Sequence, residues 1–151
     1  AVTLNSSQGV KRLVLYPRLS HLGERIAMEP EMEHDGAFIQ DLFRTVGVSA
    51  SVLTMTLDPD EREQLLILES ARKAEEVVYF CFDPHLYPGS RKLLNFLEET
   101  TRDLQVVFLR DPFGADLLAL ETSYLCAYGF RSVQILAAVE LLCGLGAKTP
   151  A

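Results

Sequence analysis

Cysteine is scarce in this sequence. The 151 residues contain three cysteines, Cys81, Cys126 and Cys143, which lie far apart and form no Cys-x-x-Cys pair. An odd number of widely spaced cysteines argues against a disulfide framework. Because each lies within an apolar stretch, we expect buried, unreactive thiols that pack as small hydrophobic side chains.

Long hydrophobic runs are also missing. The longest candidate, Val133 to Cys143, is interrupted by Gln134 and Glu140 and is shorter than the roughly 18 apolar residues that indicate a membrane span. The start of the chain lacks the basic and apolar pattern of a signal peptide. We therefore expect no membrane partner and a cytoplasmic location, with a secreted or cell-envelope parent protein as the alternative. A first residue of Ala1 also permits a fragment of a longer protein.

Basic residues are in the minority. There are 14 lysines and arginines against 21 acidic residues, which gives a net charge of −7. Such a surface repels phosphate backbones and anionic lipid headgroups, so nucleic acid is not expected as a partner. With 48% hydrophobic and 23% charged residues, the composition is typical of a globular protein. The length predicts one domain over residues 1–151.

Glycine-rich phosphate-binding motifs are absent. Neither G-x-G-x-x-G nor G-x-x-x-x-G-K-[ST] occurs, and the first predicted strand leads into Pro17-Arg18-Leu19-Ser20-His21. Backbone amides need a glycine-rich turn to approach a phosphate at a helix start. We therefore expect no nucleotide or flavin cofactor.

The sequence does contain a regular alternation of β-branched runs and amphipathic segments. Five crossover-length units favour an α/β fold: a flavodoxin-like three-layer sandwich with a five-stranded, mainly parallel sheet in the order 2-1-3-4-5 and helices on both faces. The predicted strands are Lys11–Tyr16, Val52–Leu57, Val77–Phe82, Gln105–Leu109 and Ser123–Tyr128.

The helices of this pattern have recognisable ends. Asp35 is expected to cap the first helix and Gly47 to end it, with Phe38, Ile39, Leu42, Phe43 and Val46 inward. For the second, Asp58-Pro59-Asp60-Glu61 predicts an N-cap, an N1 proline and an N3 glutamate. The residues expected to face inward on it are Leu65, Leu66, Leu68, Ala71 and Ala74.

Three further helices are expected along the rest of the chain. One begins at Ser90 with Leu93, Leu94 and Leu97 inward, and a short one covers Pro112 to Leu120. The last, Ser132 to Cys143, is apolar nearly all round and ends at Gly144. Such a helix is expected to be buried against other protein.

Candidate functional residues follow the strands, because ligands of open α/β sheets bind at the carboxyl ends of the strands. Three Asp-Pro pairs begin at Asp58, Asp83 and Asp111. Their carboxylates either converge on Mg²⁺ or cap the helices and turns that follow. His85 lies close enough to Asp83 in sequence for an acid/base pair, or both are polar loop residues. We expect no metal site and no catalytic group among them.

A long acidic loop runs from Arg18 to about His34 and contains His21. Glu29, Glu31, Glu33, His34 and Asp35 fit no recognised cation-binding spacing, and a solvated segment is expected. Its length also makes the loop a candidate for docking a partner.

Three segments of the chain resemble a known family. Glu69–Phe80 (ESARKAEEVVYF), Val106–Leu117 (VVFLRDPFGADL) and Tyr124–Gly144 (YLCAYGF and the helix after it) are similar to the C-terminal α/β sandwich domain of family 3 glycoside hydrolases. The resemblance is strongest to the bacterial β-N-acetylhexosaminidase subgroup. Ala1-Val-Thr-Leu is similar to the segment that follows the catalytic barrel in that family.

The resemblance implies that the reactive groups lie elsewhere. In that family the nucleophilic aspartate and the His-Asp dyad lie on an N-terminal (β/α)₈ barrel, and no Lys-His-Phe-Pro-Gly segment occurs here. In the β-glucosidase branch the second domain supplies a glutamate after a central strand, but Asp83 to Gly89 contains none. Asp111-Pro112-Phe113-Gly114 also replaces the usual Asn-Pro-Tyr, and the tail lacks the family's Gly-Arg/Lys-Leu-Pro ending.

The resemblance thus implies a non-catalytic accessory domain whose partner is the catalytic barrel of the same polypeptide. Two other hypotheses remain: a free-standing flavodoxin-like ligand-binding or interaction module, and a Mg²⁺-dependent phosphoryl-transfer domain. The last requires Asp58, Asp83 and Asp111 to converge on one cation, and it fails if their carboxylates bond the amides at helix starts. A phosphoryl-transfer domain of the receiver type also needs acidic residues at the end of the first strand and a lysine at the end of the fifth. This chain has Tyr16-Pro17 and Tyr128-Gly129 there.

Overall fold

The sheet has five parallel strands. The computed structural model describes residues 10–24 and 36–144, and its strands follow the order β2-β1-β3-β4-β5 with every neighbouring pair parallel. This confirms the predicted fold class and strand order. The strands are β1 (Arg12–Pro17), β2 (Ser51–Met55), β3 (Glu76–Cys81), β4 (Leu104–Phe108) and β5 (Ser123–Cys126).

Four α-helices and two 3₁₀ helices are described around the sheet. The segment predicted as a short α-helix from Pro112 is a 3₁₀ helix. The α-helices are α1 (Gly36–Thr45), α2 (Glu61–Arg72), α3 (Pro88–Thr100) and α4 (Ser132–Leu142), and the 3₁₀ helices are Leu19–Glu24 and Pro112–Leu117.

The sheet separates two hydrophobic cores. On one face, α1 and α4 cover alternate residues of β1, β3 and β4, including Val14, Tyr16 and Phe80. On the other face, α2 and α3 cover the remaining residues, among them Leu15 and Tyr79. Because β1 and β3 are buried on both faces, they are apolar almost throughout, as central parallel strands usually are.

Helix α1 matches its predicted stripe. Ile39 and Phe43 are fully buried, and Phe38, Leu42 and Val46 pack around the same core. Gly47 ends the helix in the left-handed region, with φ of 82°, as predicted. The expected cap, Asp35, lies outside the described residues, as does the acidic segment with Glu29, Glu31, Glu33 and His34.

Helix α2 begins two residues later than predicted. Its N-cap is Asp60, whose carboxylate accepts a hydrogen bond from the Glu63 amide, so the prediction of Asp58 as the cap was wrong. The inward face was also partly wrong, because Leu65 and Leu66 are exposed and Gln64 is buried. Gln64 donates from Nε2 to the Pro59 carbonyl at 2.8 Å, and this hydrogen bond satisfies the buried amide.

Helix α4 is buried along one side only. Ile135, Ala138, Val139 and Leu142 face the core, while Val133 and Leu141 are exposed. The helix ends before Gly144, which has a φ of 75°. In the part of the chain that the structure describes, the outer side of α4 is therefore partly exposed. Within residues 10–24 and 36–144, no helix combines the length and the apolar character that crossing a membrane requires.

A buried ion pair joins the first residues of the two central strands. Arg12 and Glu76 are register partners in β1 and β3, and Arg12 Nε donates to Glu76 Oε2 at 2.7 Å. Arg12 also donates to the Ser49 carbonyl at 2.9 Å. The two side chains are 2% and 9% exposed, so this pair lies inside the amino end of the sheet.

Candidate functional site

The loops after β3, β4 and β5 start at one level. Cys81, Phe108 and Cys126 are register partners, and two residues beyond them lie Asp83, Arg110 and Tyr128. The ladder continues past the strands, because the Leu109 amide donates to the Cys81 carbonyl at 3.0 Å. The carboxyl edge of the sheet, defined here by these three loops (82–87, 109–113 and 127–130), is therefore one continuous surface.

Asp83 and Arg110 form the charged centre of this surface. Asp83 Oδ2 lies 3.1 Å from Arg110 Nη1, and Asp111 Oδ2 lies 3.7 Å from Arg110 Nε. The Asp83 side chain is almost buried while the guanidinium is largely exposed. Burial raises the pKa of Asp83, and the positive charge of Arg110 works against that rise. Arg110 is therefore flanked by two carboxylates, while more than half of its side chain stays exposed.

Two residues on this edge have left-handed backbones although they carry side chains. The φ angle is 41° at Asp83 and 56° at Tyr128, a region that costs an ordinary L-residue roughly 1–2 kcal/mol. The turn at Asp83 is held by the amides of Leu86 and Tyr87, which both donate to the Asp83 carbonyl. The turn after β5 is held by Gln134, whose side-chain Nε2 donates to the Tyr128 carbonyl at 3.0 Å.

His85 bonds across the edge. Its Nε2 lies 3.0 Å from the carbonyl oxygen of Phe113, to which it donates when Nε2 carries the proton. The histidine thereby joins the loop after β3 to the 3₁₀ helix after β4. The Asp83 carboxylate forms its ion pair with Arg110. Among the described residues no hydrogen bond joins Asp83 to His85, and the expectation that both are polar loop residues stays a prediction.

Asp58 and Asp111 act at helix starts. Asp111 Oδ1 accepts from the Phe113 amide at 3.1 Å, at the first turn of the 3₁₀ helix. Asp58 Oδ1 accepts from the Gly89 amide at 2.7 Å, at the first turn of α3. These contacts count against convergence of the two carboxylates on Mg²⁺. Within the part of the chain that the structure describes, no three histidine, cysteine or acidic side chains gather as metal ligands would.

The thiols are free, and burial keeps them protonated. Burial raises the pKa of Cys81 to about 12 and that of Cys143 to about 11, and it also raises the pKa of Cys126. Cys81 is buried as predicted, whereas Cys126 and Cys143 are only partly buried. A thiol with a raised pKa is a poor nucleophile near neutral pH.

Exposed apolar side chains lie on the same three loops as the charged centre. Leu86, Phe113 and Tyr128 are all largely exposed, one on each of the three loops. Sequence reasoning named the aspartates and the histidine of this edge but missed Arg110 and these three residues. Their positions in the sequence could have indicated them, because each lies within five residues of the carboxyl end of a predicted strand.

Comparisons with known proteins found similarity at the level of structure. No protein-family model matches the sequence, and no curated protein matches it. The β-N-acetylglucosaminidase of glycoside hydrolase family 3 from Paenibacillus has a TM-score of 0.77 to this chain at 20% identity, covering 96% of this chain and 27% of that one. The chain thus spans about a quarter of that enzyme.

Two other solved structures extend the comparison. A β-glucosidase from Listeria innocua has a TM-score of 0.63 at 12% identity, covering 93% of this chain and 22% of that one. A type II dehydroquinase from Propionibacterium acnes has a TM-score of 0.56 at 17% identity, and it is covered over 99% of its own length. At these identities the likeness shows a shared fold.

Proposed function

We propose that this chain is the non-catalytic C-terminal accessory domain of a family 3 glycoside hydrolase of the β-N-acetylhexosaminidase type, and that it packs on a (β/α)₈ catalytic barrel. The observation that carries the proposal is the match of 96% of this chain to 27% of the Paenibacillus enzyme at a TM-score of 0.77. The family resemblance of Glu69–Phe80, Val106–Leu117 and Tyr124–Gly144 points in the same direction.

The chemistry of the carboxyl edge supports a non-catalytic role. A retaining glycosidase needs a nucleophile and an acid/base group roughly 5 Å apart on either side of the scissile bond. Here Asp58 and Asp111 bond backbone amides, and Asp83 is held by Arg110. Each carboxylate that the sequence analysis named at a strand end is therefore engaged in holding a loop or a helix.

The surface of the same edge suits contact with another domain. Leu86, Phe113 and Tyr128 are exposed on three loops. His85 and Asp83 join the first two loops, and the Gly129 amide joins the third loop to the second by donating to the Leu109 carbonyl. Exposed apolar side chains on a rigid frame are typical of surfaces that pack against protein. We infer that this edge faces the barrel and contributes to the rim of its active site.

An assay of the 151-residue chain tests the catalytic part. We expect no turnover of 4-nitrophenyl N-acetyl-β-D-glucosaminide, since the reactive groups would lie on the barrel. Turnover that Asp83→Asn or His85→Ala abolishes would overturn the proposal. Circular dichroism of the wild-type chain establishes that the assayed protein is folded.

The parent reading frame tests the domain assignment. We expect the codons upstream of Ala1 to encode a (β/α)₈ barrel with a His-Asp dyad. A start codon immediately before Ala1 would instead favour the second candidate, a free-standing flavodoxin-like ligand-binding or interaction module. The observation in favour of that candidate is the dehydroquinase, a whole protein covered over 99% of its length by this fold.

A further inference from the structure

Helices α2 and α3 leave an apolar groove on the outer side of the molecule. The groove has a volume of about 440 Å³, and Leu65, Leu68 and Phe96 are among its lining residues. Leu65 is 68% exposed, Leu66 59% and Phe96 40%. The sequence pattern predicted that Leu65 and Leu66 face inward, whereas both lie outside the core. Exposed apolar side chains that cluster on one surface mark a site of contact.

The two helices start at the same level. Asp58 accepts from the Gly89 amide, and Gln64 donates to the Pro59 carbonyl and, at 3.5 Å, to the Gly89 carbonyl. Pro59 and Gly89 are therefore neighbours. Leu65 and Asn95 each follow six residues later, roughly 9 Å further along the helix axis, so they lie side by side.

From this common level the exposed faces of α2 and α3 carry the same arrangement of charge. Each has a central pair, Leu65–Leu66 on α2 and Asn95–Phe96 on α3. Three residues before the pair comes a cation, and three residues after it comes a carboxylate. On both helices these flanking residues are exposed: Arg62 and Glu69 on α2, Lys92 and Glu99 on α3.

A face with this arrangement is complementary to itself. Consider a two-fold axis that lies in the contact plane, perpendicular to both helices, at the level of their central pairs. This axis places α2 antiparallel to α2 of the second copy and α3 antiparallel to α3 of the second copy. Arg62 then faces Glu69 of the partner subunit, and Lys92 faces Glu99 of the partner subunit. Each of these contacts occurs twice, and the central pairs, in which Leu65, Leu66 and Phe96 are apolar, cover one another. Isologous interfaces require this kind of self-complementary patch.

We propose that two copies of this chain associate through the outer faces of α2 and α3, with Lys92 and Arg62 paired to the carboxylates Glu99 and Glu69 of the other copy. Glu69 exchanges an exposed contact with Lys73, 3.7 Å away on its own helix, for this pairing. The proposal is independent of the accessory-domain assignment, because it uses the helical face and leaves the carboxyl edge free.

The size of the face indicates a reversible dimer. Helices of 12 and 13 residues are about 18–20 Å long, and packed helices lie about 8–10 Å apart. Two such helices side by side, each about 10 Å wide with its side chains, form a face of about 400 Å² in projection, below the roughly 800 Å² per partner of a standard interface. We expect a dimer that dissociates on dilution and weakens as salt screens its charges.

Sedimentation equilibrium of the full 151-residue chain over a range of concentrations tests the proposal. We expect Lys92→Glu and Glu99→Lys each to raise the dissociation constant by about tenfold or more, since each single change creates two like-charge contacts. The double variant restores both contacts with reversed sign. The dissociation constant of the double variant is therefore expected to lie within about threefold of the wild-type value.

Leu65→Asp provides an independent test at the apolar centre, where we expect the dimer to be lost. Its matched control is Val133→Asp, because Val133 is 69% exposed on α4, across the sheet. This variant is expected to dimerise as the wild type does. Thermal unfolding by circular dichroism shows whether each variant is folded.

Three results would overturn the proposal. One is a wild-type chain that stays monomeric at all concentrations, which would leave the groove to another domain or another protein. The others are a dimer that neither single charge reversal weakens, and a double variant that is no tighter than the single ones.

Discussion

At the scale of single residues, the ion pair of Arg12 and Glu76 is a buried contact on which the stability of the fold depends. Its 2.7 Å contact is buried between the first residues of two central strands. Removing one partner of a buried pair leaves a desolvated charge, which typically costs about 3–5 kcal/mol. We therefore expect Glu76→Ala to lower the free energy of unfolding by about 3 kcal/mol in urea titrations.

Glu69→Ala is the matched control for this prediction. Glu69 lies 3.7 Å from Lys73, and both side chains are largely exposed. Exposed i,i+4 pairs contribute about 0.3–0.5 kcal/mol. At protein concentrations at which the proposed dimer is dissociated, this variant is therefore expected to unfold close to the wild-type midpoint. If both variants lost the same free energy of unfolding, the buried pair would contribute no more to stability than the exposed one.

Pairing at the candidate site could not be predicted from sequence spacing. Asp83 and Arg110 are 27 positions apart, and they meet only because Cys81 and Phe108 are register partners. The sequence did place Asp83, His85 and Asp111 at strand ends. It carried no information on register, so the contact of Asp83 with Arg110, in place of His85, had to come from the structure.

At the scale of elements, the contact between α2 and α3 depends on a glycine. A Cβ at Gly89 would lie 2.1 Å from the Pro59 carbonyl oxygen and 2.7 Å from Asp58 Oδ1. Backbone atoms cannot move away as a flexible side chain can. We expect Gly89→Ala to destabilise the protein by about 1–3 kcal/mol, the usual cost of overpacking, although alanine normally favours a helix.

Asn95→Ala serves as the comparison for Gly89→Ala on the same helix. Asn95 is exposed in the middle of α3, where alanine has the higher helix propensity, and a change within about 0.5 kcal/mol is expected. Thermal and urea unfolding measure both variants. Equal stability of Gly89→Ala and Asn95→Ala would contradict the close approach of Gly89 to the Pro59 carbonyl oxygen.

The phase of α2 was predicted incorrectly for a reason that involves this contact. Leu65 and Leu66 look like core residues when α2 is read alone. The fold instead buries Gln64, because its amide reaches the carbonyls of Pro59 and Gly89. A buried polar side chain whose partners lie on another element has no signature in the hydrophobic period of its own helix.

At the scale of the whole molecule, the sequence predicted the architecture better than the surfaces. The order β2-β1-β3-β4-β5 follows from right-handed crossovers and the alternation of strands and helices, which are general rules. The exposed apolar residues of α2, α3 and α4, among them Leu65, Phe96 and Val133, do not follow from those rules. Apolar periodicity cannot separate a residue that faces the core from one that faces a partner.

The last prediction concerns stability in alkaline solution, which depends on burial in the central strands. Burial raises the pKa of Cys81 from 9.0 to about 12, so the folded protein holds this proton more tightly than the unfolded chain does. The resulting stability is fully present below about pH 9. It declines above that value, where the unfolded chain loses the proton, and is lost by about pH 12.

Urea unfolding at about pH 8 and about pH 10 measures this effect. We expect the thiol to account for a loss of about 1 kcal/mol between the two values, following the linkage relation. Burial also raises the pKa values of Tyr16 and Tyr79, so the wild type alone cannot isolate the thiol. Cys81→Ala keeps both tyrosines and removes the thiol, and its loss over the same interval should be smaller by about that amount. Identical pH dependence in the two proteins would mean that Cys81 ionises as easily in the fold as outside it, which contradicts its burial in β3.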